Sequence, residues 1–379
     1  MPRMPIAIIG AGLGGLTLGR CLKQKDIPFT IYEKAASPSR HSYGITLCGW
    51  SYQPLLQALK VDEHAFRHLT SVDRFEGTIG HISRTSLVFT MDSDASASRV
   101  HRGRFESFLR EGLDIKHGYE LIKLELSQQN VTGSFHNGHQ IEGCLLVGAD
   151  GVHSQVRKTC LPECQPNVFP FVVFNGRRRL SRDIFQDLYE PHMGEANLLE
   201  TLVNNVLLQI SVNDRRAGDE NVEISYTFSR SAISQDPLHR PDRAVNGATD
   251  IPEEFYAEVE ALPNLPQPFA DAFDMQKVRQ ERLLHWLMRG SLTPRDDLER
   301  LAEQSVILMG DAAHAMPIIG GDGGNAVIED AVTLAEWIAD NGTEDISRYY
   351  ETRYRRWRSL VDGSARRLAE MHDEPKSVL

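Results

Sequence analysis

Apolar residues in this chain gather into short unbroken runs, and three of these end at a glycine or an acid. Pro5-Ile6-Ala7-Ile8-Ile9 leads into Gly10-Ala11-Gly12-Leu13-Gly14-Gly15, Leu145-Leu146-Val147 into Gly148-Ala149-Asp150-Gly151, and Val306-Ile307-Leu308-Met309 into Gly310-Asp311. Runs without alternation predict strands buried on both faces, as in a parallel sheet. Helical spacing follows the first run at Leu16, Leu18 and Leu22 and returns over Asn325 to Asp340; Ile346 to Met371 reads as one amphipathic helix. Elsewhere the pattern is strand-like, in Phe75 to Thr90, in Leu121 to Leu126 and Val131 to His136 with an Asn137-Gly138 turn signal, and in Phe169–Phe174, Val206–Val212 and Val222–Phe228. The predicted fold is α/β: a dinucleotide-binding, Rossmann-like domain (residues 1–69, 99–165 and 280–345), a second, sheet-containing domain (70–98 and 166–279) and a C-terminal helix (346–379).

The first run carries the most specific local chemistry. Strand, Gly10-x-Gly12-x-x-Gly15 and helix follow in order, and a second strand ends at Glu33. Gly10 permits a tight turn, Gly12 a close approach to a pyrophosphate, and Gly15 close helix–strand packing, while a carboxylate at Glu33 can accept from ribose hydroxyls. The same acid opposes a 2′-phosphate, which disfavours NADP in this cleft and leaves NAD and FAD open. Asp150, at a strand end, is read both as a ligand-side acid and as a cap for the segment Ser154 to Cys160, with Ser154 the better-placed cap.

Composition narrows the partners. The 379 residues carry 41 basic and 52 acidic side chains for a net charge of −11, with the basic ones scattered, so no nucleic-acid partner is expected. The clusters Arg177-Arg178-Arg179 and Arg353 to Arg358 lie among acids and read as solvated faces. No run approaches the roughly 18 to 20 apolar residues of a membrane span, and no signal peptide or anchor is read. Five cysteines without regular spacing predict reduced thiols, no metal site and a cytoplasmic location.

Taken together, Gly10-x-Gly12-x-x-Gly15 with Glu33, Asp150-Gly151-x-x-Ser154-x-Val156-Arg157, and Gly310-Asp311-Ala312-Ala313-His314 with Pro317 and Gly321-x-Gly323-x-Asn325 resemble the single-component flavoprotein hydroxylases of the para-hydroxybenzoate hydroxylase type. The resemblance spans residues 5 to about 340. It implies that Gly10, Gly12, Leu13, Gly14, Gly15, Glu33 and Lys34 hold the ADP half of FAD, and that Asp150 serves both FAD and the nicotinamide cofactor. Asp311, with Gly310, would meet the ribityl or pyrophosphate part, and Gly321, Gly323, Gly324 and Asn325 would begin a helix whose N–H groups face the flavin. Arg102 matches an Arg-x-x-apolar pattern on the flavin side, with Phe105 where Leu is usual. Ile318 replaces a second Pro and adds bulk at the reaction centre; His314 is read as a packing or hydrogen-bonding residue.

The implied activity is an FAD-dependent monooxygenase: NADH or NADPH reduces the flavin, O₂ adds as a C4a-hydroperoxide, and oxygen passes to an aromatic or polycyclic small molecule. Epoxidation or another oxygen insertion is the alternative. A halogenase would carry a Trp-x-Trp-x-Ile-Pro stretch, whereas Trp286 stands alone in His285-Trp286-Leu287. A non-catalytic dinucleotide-fold binder would need neither the second nor the third motif. Substrate-side catalytic residues and oligomeric state are not read from the chain.

Overall fold

The structure, a computed structural model, describes residues 6–38, 41–73, 79–80, 82, 96–126, 131–143, 145–216, 218–320 and 322–372. The expected strand region Phe75 to Thr90 and the candidate residue Gly321 therefore lie, the first almost wholly, outside the described residues.

The uninterrupted apolar runs form a five-stranded parallel sheet in the order Val306–Leu308, Leu145–Gly148, Ile6–Ile9, Phe29–Glu33 and Ile115–His117. Ile6, Ile8, Leu145, Leu146, Val147, Val306, Ile307 and Leu308 are all nearly inaccessible, because the Leu13–Gln24 and Asp322–Asn341 helices and their neighbours cover the sheet. Each such aliphatic side chain contributes roughly 1.5–3 kcal/mol of burial. The strand order has a direct consequence. Ile9 pairs with Gly148, and Gly148 with Leu308, so the three motif-bearing turns leave adjacent strands at the same carboxyl edge.

A second, antiparallel sheet runs Leu198–Val203, Val206–Asp214, Asn221–Ser231, Phe171–Ser181, Leu283–Trp286. One face packs into its own core of Phe174, Tyr226, Phe228, Phe255 and Phe273. The strand Leu283–Trp286 falls within the range that the sequence assigns to the first domain. Its register with Val173–Gly176 places it in the second sheet instead, since a strand of alternating burial has its partner there. Smaller sheets pair Gly44–Leu47 with Ser98–His101, and build a meander from Leu121–Leu126, Val131–Phe135 and Gln140–Glu142, about the expected Asn137-Gly138 turn.

The C-terminal helix, Tyr349–Glu370, follows a short 3-10 turn and packs across the third motif. Here two readings are corrected. Arg353 is buried against Asp330 and Glu329, and Arg178 is buried among Glu281, Asp271 and the carbonyl of Ala272. Neither is part of a solvated face, because acids distant in sequence converge on each.

Candidate active site

The Gly10 turn adopts φ +105°, and a Cβ there would sit 2.6 Å from the carbonyl oxygen of Ala149. The first turn is thus pressed against the second. Gly15 lies closer still: its Cβ would fall 2.0 Å from the Gly10 carbonyl oxygen, which is the close helix–strand packing expected of it. Gly12 has open space where a side chain would be, and the helix that follows has no side-chain cap, so its first N–H groups face that space. Glu33 closes the other side. Its two carboxylate oxygens accept from the backbone N–H groups of Ala11 and Ala35, each at 2.8 Å.

In the second turn, Ser154 caps its short helix by accepting from Arg157 N–H at 2.9 Å, while Asp150 Oδ2 accepts from Gln155 and Val156. Asp150 thus shares the capping with Ser154. Its Oδ1 is buried without a hydrogen-bond partner, and burial raises its carboxyl above the usual range. Arg157, quoted only as part of a motif, ties this turn to the third by donating to the carbonyls of Ala312 (2.8 Å), Asp311 and Val152.

The third turn is held from behind by Asp330, a residue that the sequence does not single out. Asp330 accepts from Gly310 N–H (3.1 Å), His314 Nε2 (2.5 Å), Arg353 (3.0 Å) and Trp357 Nε1 (2.6 Å). Burial works to raise its pKa, but His314 and Arg353 outweigh that and hold it below the ordinary carboxylate range. His314 is thus the hydrogen-bonding residue expected, and its ring packs against that of Trp357 at a tilt of 37°. Asp311 faces forward instead. Its carboxyl is raised chiefly by burial, against the pull of His314, Arg102 and Arg157, and it lies beside the start of the Asp322–Asn341 helix.

That helix begins at Asp322, one residue before the Gly323-Gly324-Asn325 start expected. Asn325 consequently sits within the first turn, fully buried, accepting from Cys48 N–H (2.8 Å) and Ser51 Oγ (2.5 Å) and donating to Thr46 carbonyl. Its side chain fastens the helix to the segment after Gly44–Leu47, so the open groups at this end belong to Gly323 and Gly324. Arg367, from the C-terminal helix, pairs with Asp322 at 2.9 Å and donates to the Gly320 carbonyl.

Arg102 opens the helix Arg102–Arg110 directly after the Ser98–His101 strand, as expected from its position. Buried Glu106, one helical turn on, accepts from its Nε at 2.9 Å, and Tyr43 takes a further N–H and lies under the guanidinium. The Tyr43 ring and the Glu106 carboxylate together fix its direction.

These groups share one cavity of about 910 Å³, lined by Gly10, Gly12, Leu13, Gly14, Glu33, Lys34, Arg102, Asp150, Gly310, Asp311, Gly323 and Gly324. Gly15 and Asn325 stand behind its wall. The same space continues to the open face of the antiparallel sheet, where Asn175, Gln209, Ser211, Asn213, Ser225 and Thr227 form a polar roof and Leu198, Leu284, Trp286 and Ile318 an apolar side. Ile318 is 56% exposed, the exposed apolar residue beside Pro317 that its departure from the expected pattern marks.

A family described as "FAD binding domain" matches residues 3–167 and 283–364, which together hold all five strands of the parallel sheet. The chain belongs to the para-hydroxybenzoate hydroxylase type of FAD-dependent monooxygenase. It is 33% identical to FAD-dependent monooxygenase adaC of Aspergillus niger, over 97% of this chain and 93% of that protein. It is 32% identical to FAD-dependent monooxygenase nscC of Aspergillus fumigatus, over 98% and 96%. The fold is that of 2,6-dihydroxypyridine-3-hydroxylase from Arthrobacter nicotinovorans (TM-score 0.73, 17% identity, 99% and 95% covered). Klebsiella pneumoniae HpxO, complexed with FAD and uric acid, is similar too (TM-score 0.68, 19% identity, 98% and 89% covered).

The monooxygenase's residues fit FAD on three observations: the open cradle at Gly12, the unpartnered Asp150 Oδ1, and two uncrowded glycines at a helix start. Among the described residues there is no metal-binding cluster and no helix long and apolar enough to cross a membrane.

Proposed function

We propose that this monooxygenase hydroxylates a small, electron-rich aromatic or polycyclic compound, using NADH or NADPH and O₂. The observation that carries this reading is the continuity of the cavity, which joins the three glycine-rich turns to the antiparallel roof without a dividing wall. One end has the donors and acceptors of a dinucleotide site, and the other has the mixed polar and apolar lining of a pocket for a small molecule.

In this reading Glu33 accepts from the adenosine ribose, and the N–H groups after Gly12 meet the pyrophosphate. Asp311 accepts from the ribityl chain. The N–H groups of Gly323 and Gly324 turn the positive end of a 20-residue helix towards the isoalloxazine ring. Arg102, held by Glu106 and Tyr43, adds positive charge on the flavin side. Bound FAD supplies oxygen activation, which no side chain here can provide. The protein's part is to orient the acceptor carbon and exclude water, and Leu198, Leu284, Trp286 and Ile318 present the apolar surface for both.

The test is oxidation of NADH and NADPH by the purified yellow protein against a panel of phenolic and polycyclic compounds, scored for hydroxylated product. Product from at least one phenolic compound is expected. Peroxide alone with every member of the panel would overturn the reading, and an epoxide from an alkene-bearing member would favour the alternative oxygen insertion.

A further inference from the structure

The polar roof of the cavity is mostly occupied with itself. Asn213 accepts from Gly44 N–H at 2.9 Å and donates to Ser225 Oγ at 2.8 Å; Asn175 donates to Thr227 Oγ1 at 3.0 Å; Gln209 donates to Glu200. Arg99 differs. It lies on the Ser98–His101 strand, opposite Thr46, and lines the same cavity. A guanidinium has five N–H donors, and among the described residues this side chain donates one hydrogen bond, from Nη1 to Thr46 Oγ1 at 3.1 Å. Its Nε is buried without a partner. Among the described residues no carboxylate lies within ion-pair distance of it; the nearest influence is Glu200, which Gln209 already engages.

This guanidinium packs over Gly44, where a side chain would collide with it. A Cβ on Gly44 would fall 2.6 Å from Arg99 Nε and 3.1 Å from its Nη2. Gly44 is not at positive φ, so glycine serves close packing here: the same Cβ would also fall 2.7 Å from the Val212 carbonyl oxygen, and both the guanidinium and that carbonyl occupy the space. Burial lowers Arg99 to about 10, which leaves it charged at neutral pH. A half-buried cation with no counter-charge among the described residues is costly, and in a pocket that receives a ligand the ligand can supply that charge.

We propose that Arg99 is a specificity-determining residue, and that this monooxygenase takes substrates carrying an anionic oxygen, which Arg99 binds at the roof end of the cavity. This rests on the hydroxylase reading and names the substrate's charge. The anionic oxygen has two chemical sources, a carboxylate or an ionised phenol or enol, and the planar fork of the guanidinium accepts either.

The experiment measures binding to the FAD-loaded enzyme by calorimetry, without turnover, using matched charged and neutral probes. The pair 1-hydroxy-2-naphthoate and its carboxamide reports a carboxylate; 2-hydroxy-1,4-naphthoquinone, an acidic enol, and its methyl ether report an enolate. Wild type should bind at least one anion about tenfold or more tighter than its neutral partner. Arg99→Gln should abolish that ratio while leaving the neutral partner's affinity and the FAD content unchanged, and Arg99→Lys should restore part of it. If Arg99→Gln does not retain FAD, Arg99→Met, uncharged and of similar length, takes its place and should abolish the same ratio. Absence of anion preference in wild type, or a ratio unchanged in Arg99→Gln, overturns the proposal. Anion preference without product formation would leave it standing while removing the hydroxylase reading.

Discussion

Glu33 is engaged before any cofactor arrives, since each of its oxygens already takes one backbone N–H. A carboxylate oxygen has room for a second donor, so these bonds orient the side chain for a ribose without exhausting it. Glu33→Gln tests this more sharply than alanine, because an amide turns one of the two oxygens into a donor facing an N–H. We expect FAD affinity to fall by one to two orders of magnitude, from roughly 1.5–3 kcal/mol per charge-assisted hydrogen bond. Reconstitution of apoprotein with FAD, followed by flavin fluorescence, measures it, and an unchanged Kd would exclude Glu33 as a ligand. At this scale the sequence was informative wherever a residue's role depends on near neighbours. Gly10, Gly12, Gly15 and Asp150 each sit within a few residues of the turn they shape, and Glu33 follows at the end of the next strand, where the fingerprint places an acid. Arg99, Arg157 and Asp330 were not legible as site-shaping groups, because each acts on partners brought near by folding.

The C-terminal helix is the element whose position matters most to the third turn. Trp357 and Arg353 meet Asp330, Arg367 meets Asp322, and Tyr350 OH accepts from Leu308 N–H, capping the edge of the parallel sheet. Amphipathic spacing predicts that this segment is a helix and that one face is buried. It does not predict that the buried face carries two arginines, because their counter-charges come from the Asp322–Asn341 helix. The strand Leu283–Trp286 escaped assignment for the same reason: strand type is local, but the partner strand, Phe171–Ser181, is a hundred residues away. Asp330→Ala removes the shared acceptor of four donors and leaves Arg353 with Glu329 alone. Loss of one member of such a buried set costs roughly 3–5 kcal/mol. Thermal unfolding should show a large drop in Tm, and FAD should dissociate at lower temperature than from wild type, since the third turn loosens with it. A Tm within a degree or two of wild type would show that the C-terminal helix does not brace the site.

For the molecule as a whole, the titrating groups mostly favour neutral over acid conditions. His41, His101, His153 and His285 are all lowered, each chiefly by burial, and His285 is brought from 6.5 to about 4. His285 is inaccessible, stacked on Phe174, and its Nδ1 accepts from Arg243 Nε at 3.3 Å, which only the unprotonated nitrogen can do. The unfolded chain therefore binds a proton at this residue between pH 6.5 and 4 that the folded chain refuses. Stability rises with pH across that window and falls as pH drops through it. At pH 5 the loss from His285 alone is about 2 kcal/mol relative to neutral pH. Asp330 and Asp236, both held low by partners, extend the loss below pH 4, whereas Asp150 and Asp311, raised by burial in the site, work in the opposite direction. Denaturant unfolding at pH 7.5 and pH 5 should thus show a marked stability gap in wild type. His285→Gln retains an acceptor for Arg243 but cannot take the proton, so the gap should narrow by about the same 2 kcal/mol, even where the variant is less stable at both pH values. An equal gap in both proteins would mean that His285 is not a source of acid sensitivity.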